Sequence, residues 1–129
     1  MTGGARDPLL GCALGDWTGS WRGLILIWGL PIAVMIASAS LPPLLRGSLW
    51  TVMLLFMGVA CLVNARRCYR THCFYTGPFL ILMAAIVAFY TLGLVPLGRN
   101  GWGTLASITF GGAAILCCVT ERLRGRYLR

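Results

Sequence analysis

Gly47-Ser-Leu-Trp-Thr-Val-Met-Leu-Leu-Phe-Met-Gly-Val-Ala-Cys-Leu-Val-Asn-Ala65 contains no charged residue, and Arg66-Arg67 follow at once. A helix needs about 20 predominantly apolar residues to cross the hydrocarbon core of a bilayer. This stretch has that length, and three more resemble it: Gly23 to Leu45, Phe74 to Gly98 and Asn100 to Thr120. None shows the polar face that a helix in a soluble bundle keeps for water. A transmembrane barrel needs at least eight alternating strands, and four segments cannot supply them. The expectation is an all-α, integral membrane four-helix bundle.

Composition agrees. The chain of 129 residues is 58% hydrophobic and only 11% charged, with a mean hydropathy of +0.81. A soluble domain carries about 25% charged residues. One compact unit accounts for the length. It divides into an N-terminal tail (1–22), a four-span domain (23–120) and a basic tail (121–129).

The net charge of +8 comes from eleven arginines against Asp7, Asp16 and Glu121, with no lysine. The arginines sit at span ends and form no continuous basic face, so nucleic acid is not the expected partner. Four spans put the N-tail, the middle loop and the C-tail on one side. That side carries Arg6, Arg22, Arg66, Arg67, Arg70, Arg122, Arg124, Arg126 and Arg129; the other carries Arg46 and Arg99. Positive residues stay in the cytoplasm, so both termini are expected inside. The first apolar run starts only at Gly23 and is longer than a signal-peptide core.

Trp17, Trp21 and Trp28 fall near the inner boundary and Trp50 and Trp102 near the outer one, the depth at which tryptophan anchors a span. The first twenty residues, rich in glycine at Gly3, Gly4, Gly11, Gly15 and Gly19, read as a loose tail or short surface segment. Pro42 and Pro43 are expected to close span one, and Pro31 to kink it. Thr76-Gly77-Pro78 reads as the start of span three, with Thr76 as cap and Pro78 in the first turn. Pro96 is expected to mark its exit, and Asn100-Gly101 the next outer turn. Small residues recur every fourth position at Gly29, Ala33, Ala37 and at Gly103, Ser107, Gly111. Such stripes let helices approach closely inside a membrane, within the bundle or between copies of it.

Chemistry concentrates in the cysteines. Cys12, Cys61, Cys68, Cys73, Cys117 and Cys118 all fall at or near the inner face. The cytoplasm is reducing, so free thiols are expected rather than disulfides. Cys68 and Cys73 flank His72, the chain's one histidine, and thiolates select soft ions such as Cu(I) or borderline Zn(II). Arg66, Arg67 and Arg70 favour the thiolate. The Cys-x4-Cys spacing is not a zinc-finger pair, and there is no Cys-x-x-Cys. On span two, Met53, Met57, Cys61, Asn64 and Cys68 fall within a helical sector of about 80°. That stripe is either apolar packing or a ladder of sulfur ligands. Cys117 and Cys118, about 100° apart on a helix, can each share an ion with the middle loop if spans two and four are adjacent.

No Asp, Glu, Lys or Arg lies within the four apolar stretches, where ion pumps and proton-coupled transporters carry one. No nucleotide-binding loop and no catalytic serine–histidine or carboxylate pair is visible, so an enzyme is not expected.

Asn64-Ala65-Arg66-Arg67-Cys68-Tyr69-Arg70-Thr71-His72-Cys73, followed by Thr76-Gly77-Pro78, resembles a signature of small bacterial four-span membrane proteins. The ending Glu121-Arg122-Leu123 with a basic tail is similar to theirs, and the likeness covers residues 47 to 129. A looser likeness is to the small mercuric-ion transport proteins, which use a cysteine pair within a helix and further cysteines at the cytoplasmic face. Cys117-Cys118 and Cys68 with Cys73 match those positions. The pair here lies in the last span rather than the first, and Val119 and Thr120 follow it instead of proline. The resemblance implies a bacterial inner-membrane protein that handles a thiophilic ion such as Hg(II), Cu(I) or Zn(II).

The leading expectation is therefore soft-metal binding by Cys68, His72 and Cys73, with Cys61 as relay and Cys117 and Cys118 as a second site. The rival is an accessory subunit of a larger membrane complex. In that reading Arg66, Arg67, Arg70, Arg122, Arg124 and Arg126 contact a partner or anionic lipid. A membrane thiol–redox protein is a third reading.

Overall fold

The computed structural model describes residues 16–125. Arg6, Cys12, Arg126, Arg129 and the glycines Gly3, Gly4, Gly11 and Gly15 fall outside the described residues. The described chain is all-α: four helices, α1 (Trp21–Ser40), α2 (Pro43–Cys68), α3 (Thr71–Thr91) and α4 (Gly101–Arg124), each long and apolar enough to cross a membrane. They make the chain a multi-pass membrane protein. Leucine, isoleucine, valine and phenylalanine cover the outside of the bundle as well as its interior. An all-round apolar helix is stable when lipid replaces water.

α2 and α3 form the central antiparallel hairpin; α1 packs on α2, and α4 packs on α3. Met35, Trp50, Leu54, Met57, Leu80, Met83, Val87 and Leu105 fill the shared core. The hairpin closes on glycine. A Cβ on Gly58 would lie 2.7 Å from Ile81 Cγ1 and 3.0 Å from the Gly77 carbonyl oxygen, and one on Gly77 would lie 2.8 Å from Leu62 Cγ. Backbone meets backbone here, and lipid supplies no hydrophobic drive, so close van der Waals packing holds the pair.

Several boundaries differ from the sequence expectation. Pro42 and Pro43 do not close span one, which ends in a short 3-10 turn at Ser38–Ser40. They open α2 instead, as cap and first residue, where a missing N–H costs nothing and the fixed φ already suits a helix. Arg46 then donates to the carbonyls of Ala39 and Leu41, capping the end of α1. Before Pro31 the helix widens into a π-turn over Ile25–Gly29, a common accommodation where the regular ladder is broken.

Thr76 is not a cap. α3 starts at Thr71, and Pro78 lies inside it. Tyr69, left-handed at φ 52°, turns the chain, and Arg70 is the extended cap residue. A two-residue turn leaves little backbone unpaired, and each buried orphan group is costly. At the far end α3 stops at Thr91 rather than near Pro96. Gly93 (φ 76°) donates to Tyr90 O at 3.0 Å and Leu94 to Phe89 O at 2.9 Å. This is the Schellman arrangement that a left-handed glycine allows. Asn100 and Gly101 start α4 as expected.

The small-residue stripes do not make the bundle contacts. Gly29, Ala33, Ala37, Gly103, Ser107 and Gly111 are all exposed, and a Cβ on Gly103 or Gly111 would meet nothing within 4 Å. Trp50 does more than anchor: it is buried, and its Nε1 donates to Met35 O and Ser38 Oγ, both at 3.1 Å.

Candidate functional site

The arginine-rich end of the bundle holds a buried polar cluster to which the N-terminal segment and all of α2, α3 and α4 contribute. Asp16 stands just before α1 and is not part of a loose tail: its side chain is fully buried. Its Oδ1 accepts from Asn64 Nδ2 at 2.8 Å and from the Thr18 backbone N and hydroxyl at 3.0 and 2.8 Å. Its Oδ2 pairs with Arg70 Nη1 at 2.7 Å. Burial alone raises the Asp16 carboxyl. The hydrogen bonds from Asn64 and Thr18 and the Arg70 charge outweigh it and hold the group below the usual carboxylate range.

Arg70, expected at the lipid or a partner, is turned inward. Its Nε and Nη2 each lie 3.1 Å from Glu121 Oε1. The same oxygen lies 2.7 Å from His72 Nδ1. A carboxylate only accepts, so Nδ1 carries the proton and donates. His72 Nε2 then faces Cys73 Sγ at 3.4 Å. Asn64 Nδ2 donates to that sulfur at 3.7 Å, and Cys61 lies in the same buried cluster as Cys73. The result is a continuous chain of polar contacts from Asp16 through Arg70, Glu121 and His72 to Cys73.

His72, Cys117 and Glu121 each present one donor atom within 4.8 Å of the others. All three line a cavity of about 380 Å³ between α1 and α4, whose apolar wall includes Trp28, Ile32 and Phe110. Imidazole, thiol and carboxylate together form a donor set for a borderline ion such as Zn(II), and the thiol extends it to softer ones.

The expected ligands divide accordingly. His72 joins Cys117 and the unexpected Glu121. Cys61 and Cys73 meet each other, both fully buried. Cys68, buried at the end of α2, and Cys118, exposed on α4, stand outside the His72 cluster. Met57, Cys61, Asn64 and Cys68 are buried, so that face of α2 points into the protein. Cys61, Cys68, Cys73, Cys117 and Cys118 are all free thiols.

Arg66, Arg122 and Arg124 are exposed, as is Arg67, whose guanidinium lies 4.9 Å from the Trp17 ring centroid. Arg124 reaches over Tyr75 at 5.8 Å. Asp16 entered the sequence reading only as a charge, and Glu121 as a charge and part of the Glu121-Arg122-Leu123 ending, neither as a site residue. Their signal was that so basic a chain keeps three acids; buried Asp16 and half-buried Glu121 both pair with Arg70.

No protein-family model matches the chain, and no curated protein sequence or solved structure is significantly similar to it.

Proposed function

We propose that this protein binds a thiophilic or borderline metal ion at the arginine-rich, cytoplasmic end of a bacterial inner-membrane bundle, and so serves metal transport or handling. One observation carries the reading: His72, Cys117 and Glu121 bring a nitrogen, a sulfur and an oxygen donor within 4.8 Å of one another beside a cavity. An ion seated there replaces the proton between His72 Nδ1 and Glu121 Oε1. The Nε2–H then donates to Cys73, the second-shell hydrogen bond that fixes the ring of a metal-bound histidine. Arg70 opposes a nearby cation, and Asp16 offsets this by keeping the guanidinium paired while Glu121 turns to the ion.

The test is a Co(II) titration of the full chain in nanodiscs, followed by thiolate charge-transfer absorption. The expected result is one site per chain, weakened by at least about tenfold in His72→Gln, Cys117→Ser and Glu121→Gln. Equal binding in all forms, with helicity unchanged, rejects the site.

A second reading, an accessory subunit of a membrane complex, is favoured by the outward-facing Gly29/Ala33/Ala37 and Gly103/Ser107/Gly111 stripes. Such stripes suit docking of further helices. A stoichiometric partner retained in mild detergent, with no metal bound, supports it over the first.

A further inference from the structure

His72 stands between two groups of donors. On the Nδ1 side lie Glu121 and Cys117, at the cavity wall. On the Nε2 side lies Cys73 Sγ at 3.4 Å, and in the same buried cluster lies Cys61. Cys61 comes from α2 and Cys73 from α3. Both are 0% exposed and pack with Ala65, Trp28 and Phe74.

We propose that Cys61 and Cys73 form an inner two-sulfur site for a soft d10 ion of the Cu(I) or Hg(II) class, reached from the outer cluster by way of His72. The route rests on the metal-binding reading of His72, Cys117 and Glu121. The inner site stands on Cys61 and Cys73, fully buried in one cluster, independently of that reading.

The chemistry of the pair defines the ion. Two thiolates select soft ions. Hard cations need several oxygen ligands and are excluded. Binding of Cu(I) displaces two thiol protons and leaves the site with one negative charge. Asn64 Nδ2 already points at the Cys73 sulfur to meet that charge. His72 touches Cys73 with one nitrogen and Glu121 with the other, so it can pass the protons outward to the cavity. The same ring that takes the ion on its Nδ1 side thus faces the softer site with Nε2. Movement runs from a mixed nitrogen–sulfur–oxygen cluster to a sulfur pair, and each step favours the softer ion.

The experiment uses the full chain in nanodiscs under reductant. Cu(I) affinity is measured against a chromogenic Cu(I) chelator, and Co(II) affinity in parallel. Cys61→Ser and Cys73→Ser are expected to lower Cu(I) affinity by at least about 100-fold, the upper range for losing even a supporting residue; Cys61→Ser is expected to leave Co(II) affinity unchanged, and Cys73→Ser, which alters the partner of His72 Nε2, to weaken Co(II) by about tenfold. Cys117→Ser is expected to weaken Co(II) and slow Cu(I) loading with Cu(I) affinity retained. Copper X-ray absorption on the wild type is expected to show two sulfur scatterers. A buried serine hydroxyl can itself disturb folding, so Cys61→Ala and Cys73→Ala are measured beside the serine forms, with helicity as control. Cu(I) affinity unchanged in folded Cys61 and Cys73 variants, or a nitrogen- and oxygen-rich copper shell, overturns the inner site. Wild type that fails to bind Co(II) removes the outer site, and the Cu(I) data still decide the inner one.

Discussion

Replacing Arg70 with glutamine removes the guanidinium that bridges Asp16 and Glu121. Asp16 is the costlier orphan. Its side chain is fully buried and its Oδ2 sits 2.7 Å from Arg70 Nη1. Removing one partner of such a pair costs about 3–5 kcal/mol because the other charge stays buried. Asn64 and Thr18 still donate to Asp16 Oδ1, and this points to the lower end, about 3 kcal/mol. Glu121, at 23% side-chain exposure, is partly screened and adds about 1 kcal/mol or less. Arg70→Lys keeps the charge but cannot fork between two carboxylates, so an intermediate loss is expected. The assay is reversible unfolding in mixed micelles as the fraction of denaturing detergent rises, followed by far-ultraviolet circular dichroism. Asp16→Asn combined with Arg70→Gln should be less damaging than the two single losses summed, by about 2 kcal/mol. An Arg70→Gln loss under about 0.5 kcal/mol, or simple additivity, refutes the clamp.

The same pair sets an acid limit. The folded Asp16 carboxyl titrates below its unfolded value. Its stabilisation is therefore complete above the unfolded value, about pH 4, and is lost as pH falls through the lower folded one. Wild type should show an acid step in stability below about pH 4 that Asp16→Asn lacks.

Three further outcomes are expected. Gly58→Ala forces a methyl against Ile81 and the Gly77 carbonyl and should destabilise by about 1–3 kcal/mol; Gly111→Ala faces open space and should not destabilise, as the same unfolding assay will show. Tyr69→Gly removes a side chain from a left-handed position at φ 52° and should gain up to about 1 kcal/mol; a loss of that size would mean that the Tyr69 ring holds the turn. If the arginine-rich end is cytoplasmic, an impermeant maleimide on intact cells should label Arg99→Cys and spare Arg124→Cys, and the reverse pattern inverts the topology.

The spans were legible because length without charge is a one-dimensional property. Gly47 to Ala65 lies wholly within α2. Helix ends were less so, since proline has the same letter whether it stops one helix or starts the next. Pro42-Pro43 and Thr76-Gly77-Pro78 were both misread in that way, and Gly93, the actual stop of α3, passed as one small residue in an apolar run. Small-residue spacing pointed to the wrong helix faces. The close approaches between helices fall at Gly47, Gly58, Gly77, Gly101 and Gly112, and Gly47 and Gly58 are three helical turns apart on one face, at about 3.6 residues per turn.

Of the site, His72, Cys73, Cys61 and Cys117 were visible as residue types that ligate soft ions. Their grouping was not, because it depends on the register between α2, α3 and α4. Cys68 lies nearer to Cys73 in sequence than Cys61 does, yet Cys61 is the one that shares a buried cluster with Cys73. Arg70 and Glu121 looked like surface charge because each is flanked by exposed arginines, and only the packed bundle turns them toward Asp16 and His72.

The most direct measurement is the zinc-edge X-ray absorption spectrum of the full chain in nanodiscs with one equivalent of Zn(II). The expected shell contains sulfur at about 2.3 Å with nitrogen and oxygen at about 2.0–2.2 Å, and the sulfur disappears in Cys117→Ser. A shell of oxygen alone in the wild type, or one that Cys117→Ser leaves unchanged, contradicts a metal site built on His72, Cys117 and Glu121.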